Sequence, residues 1–350
     1  MNIVITGASG NVGTALLRAL ASDAGGPHHV VGICRRRPPP EPPYDTAEWV
    51  RADISELSAE RELRERFRDA DAVVHLAWLI QPSHNQDALK SVNRDGTRRV
   101  ISAALDEKVP HLVHMSSIGT YASAEPGTIA TESWPHDGIP SSYYSVDKAF
   151  CEHLLDGIAA GETTIARVRP TLILHEPAAS EVARYFLGPL VPTVMLREGL
   201  LRFAPLPNEL HIQFIHADDV ARAITHILHR RAGGAFNLAA TPVIDRESWA
   251  QIFGGTGPPA PVSLLRAGAA LSWRLRLQPT GPGWLDMGIQ LPLLDCSRAH
   301  TELDWHPEIT ADELLPSFFE ALRNGTGSPS PPLIPRKGLQ APWTRTARTH

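Results

Sequence analysis

The sequence predicts an α/β protein built on a doubly wound parallel sheet, with a smaller mixed lobe toward its C-terminal end. Three observations carry this. Short apolar runs alternate with helix-period patterns over the first 170 residues, which is how parallel strands with crossover helices read. A glycine-rich turn joins the first strand to the first helix. Beyond Pro170 the alternation gives way to prolines, glycines and short helical patterns.

The elements follow in order. Asn2–Thr6 is a first strand, 12–21 an amphipathic helix and His29–Cys34 a second strand. The prolines at 38, 39, 40, 42 and 43 exclude helix and predict an exposed loop. A third strand at 49–52 ends at Asp53. A charged helix spans 60–67, a fourth strand 72–77, one long helix 86–105 and a fifth strand 111–116. A helix over 143–158 and a sixth strand over 163–169 complete a first domain of residues 1–170. A helix at 217–229 and a strand at 235–239 return 211–240 to that domain. Residues 171–324 otherwise form a substrate lobe, with helices at 266–275 and 311–322. From 325 to 350 the chain is rich in Pro, Ser, Thr and Arg, which predicts a disordered tail.

Composition narrows the function. The 350 residues are 43% hydrophobic and 20% charged, as in an ordinary globular protein. A net charge of −5 supplies no basic field for nucleic acid. Three scattered cysteines, Cys34, Cys151 and Cys296, suggest neither a disulfide framework nor a metal site. With no apolar run long enough to span a bilayer and no leader pattern, the expectation is a cytoplasmic protein with no membrane partner.

The turn Thr6-Gly-Ala-Ser-Gly-Asn-Val-Gly13 carries the first chemistry. Of its glycines, one makes the tight turn, one lets backbone approach a pyrophosphate, and one lets helix and strand pack closely. Gly7, Ser9, Gly10, Asn11, Val12 and Gly13 then form a phosphate cradle, closed by free N–H groups at the helix start. This makes the sheet Rossmann-type and the ligand a dinucleotide. NAD sites place a carboxylate at the end of the second strand. Here Cys34 stands there, followed by Arg35, Arg36 and Arg37. A guanidinium suits a 2′-phosphate, so NADP is favoured, with NAD as the alternative.

Tyr144-Ser-Val-Asp-Lys148 carries the second. At i and i+4 on a helix the phenol and the ammonium share a face. Moving a hydride at a carbinol carbon requires a proton to be moved at its oxygen. A lysine cation, helped by an oxidised nicotinamide, is expected to make the phenol acidic enough to do so.

Together these motifs resemble the extended short-chain dehydrogenase/reductase family, which holds sugar-nucleotide epimerases, dehydratases and related reductases. Met115-Ser-Ser-Ile-Gly-Thr-Tyr-Ala122 is similar to its Ser-Ser-x-x-x-Tyr-Gly segment, with Ala122 in place of glycine. The resemblance implies that Ser117 orients the substrate oxygen toward Tyr144, with Ser116 as the alternative register. It also implies cofactor contacts at Asp53 and Ile54, at Leu76 and Ala77 after His75, and at Asn93 in Asn93-Arg-Asp-Gly-Thr97. Arg169-Pro170 and Phe214-Ile-His-Ala-Asp-Asp-Val220 are similar too, and Asp218 and Asp219 read as helix N-terminal carboxylates. A homodimer through the helices near 86–105 and 143–158 is a further implication.

Sugar-nucleotide members usually carry Asn and Tyr-Gly-Pro after the Arg-Pro strand, and this chain does not. The apolar stretch 185–206 predicts an apolar pocket, although Arg197 and Arg202 suit an anionic substrate. The leading expectation is a reductase or dehydrogenase for a ketone or secondary alcohol of a small, fairly apolar molecule. The alternatives are a sugar-nucleotide epimerase or dehydratase with tightly bound NAD, and a non-catalytic NAD(P) sensor.

Overall fold

The computed structural model describes residues 1–159, 161–187, 198–278 and 280–335. Its strands are β1 (Asn2–Thr6), β2 (His29–Cys34), β3 (Glu48–Arg51), β4 (Ala72–His75), β5 (His111–Met115), β6 (Ile129–Ala130), β7 (Thr164–Pro170), β8 (Leu172–Leu174), β9 (Phe214–His216), β10 (Gly234–Leu238) and β11 (Leu293–Leu294). Seven of them form one sheet in the order β10-β7-β5-β4-β1-β2-β3, parallel throughout. The order reverses between β1 and β4, so a crevice opens at their C-terminal ends, where open α/β sheets bind ligands.

The helices are α1 (Asn11–Ala21), α2 (Ala59–Phe67), α3 (Gln86–Lys90), α4 (Thr97–Asp106), α5 (Tyr143–Asp156), α6 (Ala179–Val182), α7 (Glu198–Leu201), α8 (Ala217–Arg230), α9 (Arg246–Phe253), α10 (Val262–Arg274), α11 (Pro282–Gln290), α12 (Ser297–Leu303) and α13 (Ala311–Asn324). Leu16, Leu17 and Leu20 of α1 and Ile224, Ile227 and Leu228 of α8 pack on one sheet face. Leu63 and Phe67 of α2, Val100 and Ile101 of α4, and Leu155 of α5 cover the other. With both faces covered, the central strands read as unbroken apolar runs rather than alternating ones. A third core joins α9 and α13 to Leu174 and Phe214.

Three expectations need correction. The long helix expected over 86–105 is present as one run of helical backbone through Asp106, but its middle segment, Ser91–Gly96, is π-helical rather than α-helical. That turn carries Asn93, whose amide holds both the N–H and the carbonyl of Leu79 (2.8 and 3.1 Å). Short strands with no sequence signal are also present: beyond Pro170 β8 pairs with β9, and β11 pairs back with β6 of the first domain.

The third correction concerns the tail, whose residues 325–335 are packed against the glycine turn. The Ser330 hydroxyl donates to the Ser9 carbonyl (2.6 Å). Ser328 pairs with the Tyr44 hydroxyl (2.7 Å), Arg184 binds the carbonyls of Pro332 and Ile334, and Leu333 is fully buried. Residues 336–350 of the expected tail lie outside the described residues.

Candidate active site

The glycine turn has the shape its sequence requires. Gly7 has φ +77°, and its N–H donates to the Ile33 carbonyl (2.9 Å). A Cβ there would stand 2.7 Å from the backbone nitrogen of Ala77. A Cβ on Gly13 would meet the carbonyls of Gly7 and Ala8 at 2.5 Å, so neither position admits a side chain. α1 starts after Gly10 with no side-chain cap and no acidic residue in its first turn. Its N–H groups and positive dipole end therefore face the crevice without a carboxylate of their own.

The cleft beside this turn is lined by Gly7, Ser9, Gly10, Arg35, Arg36, Asp53, Ile54, Leu76 and Ala77, which brings nine expected cofactor residues together. Asn11, Val12 and Gly13 lie in the turn but not on the cleft wall. The Asn11 side chain pairs with His175 Nδ1 (2.9 Å), and Val12 packs into the core. Asn93 acts at one remove, through its grip on Leu79. Asp53 spends one carboxylate oxygen on the N–H and hydroxyl of Ser55 (3.0 and 2.7 Å). Trp78, Leu79, Ile80, Gln81, Glu181 and Pro332 also line the cleft without having been expected as site residues, and so does Tyr185, the first residue of the stretch 185–206 expected to line an apolar pocket. Burial pushes the Glu181 carboxyl up to about 7. Arg51 faces a second cavity with Arg35 and Asp53 at the ends of β2 and β3.

Tyr144 and Lys148 share one face of α5, which is anchored by Ser145. Its hydroxyl donates to the Gly119 carbonyl and accepts from the Ile139 N–H (2.7 Å). Ser117 follows β5 and stands beside the Tyr144 phenol, its hydroxyl accepting from the Gly119 N–H (3.0 Å). Ser116 points elsewhere and donates to Glu152 (2.5 Å). Of the two registers open in the sequence, only Ser117 faces the phenol. A Cβ at Gly119 would lie 2.9 Å from the Tyr144 ring, so the turn holding Ser117 closes only around a glycine.

The electrostatics differ from expectation. Lys148 Nζ donates to the Met115 carbonyl (2.8 Å) and sits 3.6 Å from the Trp78 ring centre, but 6.0 Å from that of Tyr144. Burial pulls the ammonium down to about 7 and pushes the phenol up to about 12, with the neighbouring Ser117 hydroxyl opposing only part of the rise. In this geometry the lysine therefore does not make the tyrosine acidic. Trp78 takes up the cation face to face.

The mouth of the site is aromatic. Trp78 meets the Tyr144 ring edge-on at 6.0 Å, and Trp284 of α11 lies 5.2 Å from it. Trp284 also packs on Phe186 and Tyr143. Of the two arginines set aside for an anionic substrate, Arg202 lies over the Phe203 ring, and Arg197 falls outside the described residues together with 188–196 of the apolar stretch.

This strand order, glycine turn and Ser-Tyr-Lys arrangement define a dinucleotide-binding protein of the extended short-chain dehydrogenase/reductase type. Residues 3–239 match the NAD dependent epimerase/dehydratase family, and the chain belongs to that family. Among characterised relatives, L-arabinose 1-dehydrogenase (NAD(P)(+)) of Haloferax volcanii is 35% identical over 163 residues, covering 43% of this chain and 59% of that protein. The 4-hydroxy-2-methyl-3-oxo-4-farnesyl-3,4-dihydroquinoline-1-oxide ketoreductase of Stigmatella aurantiaca is 28% identical over 179 residues, 49% of this chain and 50% of that one. The chain thus aligns with little more than half the length of these two relatives. UDP-glucose 4-epimerase of Thermotoga maritima shares the fold at TM-score 0.66 and 17% identity, the match covering 92% of this chain and 99% of that one. A short-chain dehydrogenase/reductase superfamily protein of Agrobacterium tumefaciens with bound NAD does so at 0.65 and 21%, covering 92% and 97%.

Proposed function

We propose that this protein is an NADP(H)-dependent reductase or dehydrogenase acting on a ketone or secondary alcohol of a small, fairly apolar molecule. The observation that carries the reading is Tyr144 beside Ser117 and one helical turn from Lys148, with Trp78 spanning from this pair to the wall of the glycine-turn cleft.

The cleft fits a dinucleotide. Gly7, Gly10 and Gly13 let backbone approach a pyrophosphate, and the uncapped start of α1 leaves donors for its charge. Arg35 and Arg36 line the same cleft near where a ribose 2′-phosphate would need a cation, while Cys34 replaces the carboxylate of NAD sites. When bound, the nicotinamide supplies or accepts the hydride. In the reducing direction Tyr144 gives its hydroxyl proton to the carbonyl oxygen as that carbon is reduced, and takes back a proton from solvent. In the oxidising direction the phenolate removes the carbinol proton. Ser117 donates to the same oxygen and fixes it against Tyr144. Lys148, as a cation, stabilises the phenolate once it leaves the Trp78 face.

An apolar substrate is supported by Trp78, Trp284, Phe186 and Tyr143 around the phenol, and by the missing diphosphate-sugar grip after Pro170. Relatives named as a farnesyl-quinoline ketoreductase and, at 25% identity, as the ceramide reductase of Caulobacter vibrioides point the same way.

Dinucleotide binding measured by titration calorimetry tests the reading. NADPH is expected to bind more tightly than NADH, and Arg35→Glu with Arg36→Glu to weaken NADPH about 10- to 100-fold, as loss of charge-assisted contacts requires. Binding of neither nucleotide by the wild type overturns the proposal. Protein that retains NAD through purification and turns over a nucleotide sugar without added cofactor would instead indicate the epimerase reading.

A further inference from the structure

Helix α10 has no buried residue, although its sequence, Val-Ser-Leu-Leu-Arg-Ala-Gly-Ala-Ala-Leu-Ser-Trp-Arg, is apolar at most positions. Leu264, Leu271 and Leu275 are 67%, 60% and 60% exposed, and Leu277 just beyond is 50% exposed. At i, i+7 and i+11, the first three fall on one side of the helix, with Gly268 between them. The inner side is accounted for. Arg266 pairs with Asp286 of α11 (2.8 Å), and the Trp273 ring stacks on His84 at 4.7 Å. Arg274 at the end of the helix and Arg276 in the turn beyond it are exposed and have no side-chain partner among the described residues. Soluble monomers rarely leave a contiguous row of large apolar side chains in water. Leucines interleaved with free guanidinium groups form the surface that sinks into the headgroup layer of an anionic membrane.

We propose that α10 and the turn through Leu277 are a docking surface for an anionic lipid bilayer, the leucines entering the acyl boundary and Arg274 and Arg276 meeting lipid phosphate. The unpaired positive charge among the leucines favours this occupant over a second copy of the chain, whose net charge is −5 but whose α10 would bring the same arginines face to face. The contact is peripheral, since no described helix is long and apolar enough to cross a membrane. The expectation of no membrane partner rests on the lack of such a span, which a surface contact does not need. α10 lies on α11, which carries Trp284 to the Tyr144 ring, so a bilayer here would adjoin the substrate side of the site. That corollary rests on the function proposed above; the docking itself does not.

Flotation of the full-length protein with vesicles tests it. Binding to phosphatidylcholine vesicles containing phosphatidylglycerol is expected, weaker on phosphatidylcholine alone and weakened by salt. Replacing Leu264, Leu271 and Leu275 together by serine is expected to weaken it more than about tenfold, with the melting temperature unchanged because these side chains are already in water. Arg274→Glu with Arg276→Glu, which leaves the apolar row intact, is expected to abolish the preference for the anionic vesicles. Failure to float with either vesicle overturns the proposal. So does equal binding by the leucine variant, or a concentration-dependent dimer that the leucine variant dissolves. Because Tyr144→Phe should bind vesicles as the wild type does, a failed docking result and a failed catalytic assignment are distinguishable.

Discussion

Tyr144→Phe is expected to lower turnover by about 10²- to 10⁴-fold, the usual contribution of a positioned acid or base, while NADPH affinity stays within about threefold. The variant isolates the proton. Phenylalanine preserves the ring that packs against Trp78 and Trp284 and closes on Gly119, and it removes only the hydroxyl beside Ser117. Steady-state rates beside nucleotide binding by fluorescence separate the two effects. A fall in kcat at constant affinity supports the assignment. Retained turnover would assign the proton to another group, and unchanged cellular function would revive a sensor role.

The largest effect on stability is expected at Arg169. Its guanidinium meets Glu152 twice, Nε to Oε1 at 2.8 Å and Nη2 to Oε2 at 2.9 Å, with both side chains almost fully buried. Arg167 (3.0 Å) and Ser116 (2.5 Å) also bind that carboxylate. Arg169→Ala removes the two-pronged partner and leaves the buried carboxylate to Arg167 and Ser116 alone, which should cost about 3–5 kcal/mol in denaturant unfolding. Arg169→Met with Glu152→Met should cost less, because neither charge remains. The same cluster sets a pH dependence. Burial pushes the Glu152 carboxyl up, but Arg169, Ser116 and Arg167 outweigh it and hold the group down at about 2, against 4.5 for a free glutamate. Its protonation is thus unfavourable in the folded state, so its contribution is complete above 4.5 and is lost as pH falls toward 2. A loss under about 1 kcal/mol in Arg169→Ala would contradict this account of the cluster.

The parts legible in sequence are those encoded locally. The central strands show as apolar runs because both sheet faces are covered. The glycine turn and the Tyr144–Lys148 spacing each fit within one element and its flank. Contacts between distant segments left no such trace. Ser330 reaches Ser9 across 321 positions, and Leu333 is a single apolar anchor in a Pro- and Ser-rich stretch whose composition reads as disorder. Trp78 and Trp284 enclose the phenol from opposite ends of the chain, and no periodicity relates them. The choice between Ser116 and Ser117 depends on where Glu152 stands, which only packing decides. The lysine's expected effect on the phenol depends likewise on Trp78, which the sequence places next to the cofactor segment but not on the ammonium.

The central claim is that a bound oxidised nicotinamide, with Lys148 as a cation, turns a deeply buried, weakly acidic Tyr144 into a proton carrier. Ultraviolet difference titration of the wild type against Tyr144→Phe isolates this one phenol. Without nucleotide its ionisation should fall near the value of about 12 that burial imposes. With saturating NADP⁺ it should move down by several pH units, toward neutrality. A midpoint that stays near 12 with the nucleotide bound would contradict the assignment.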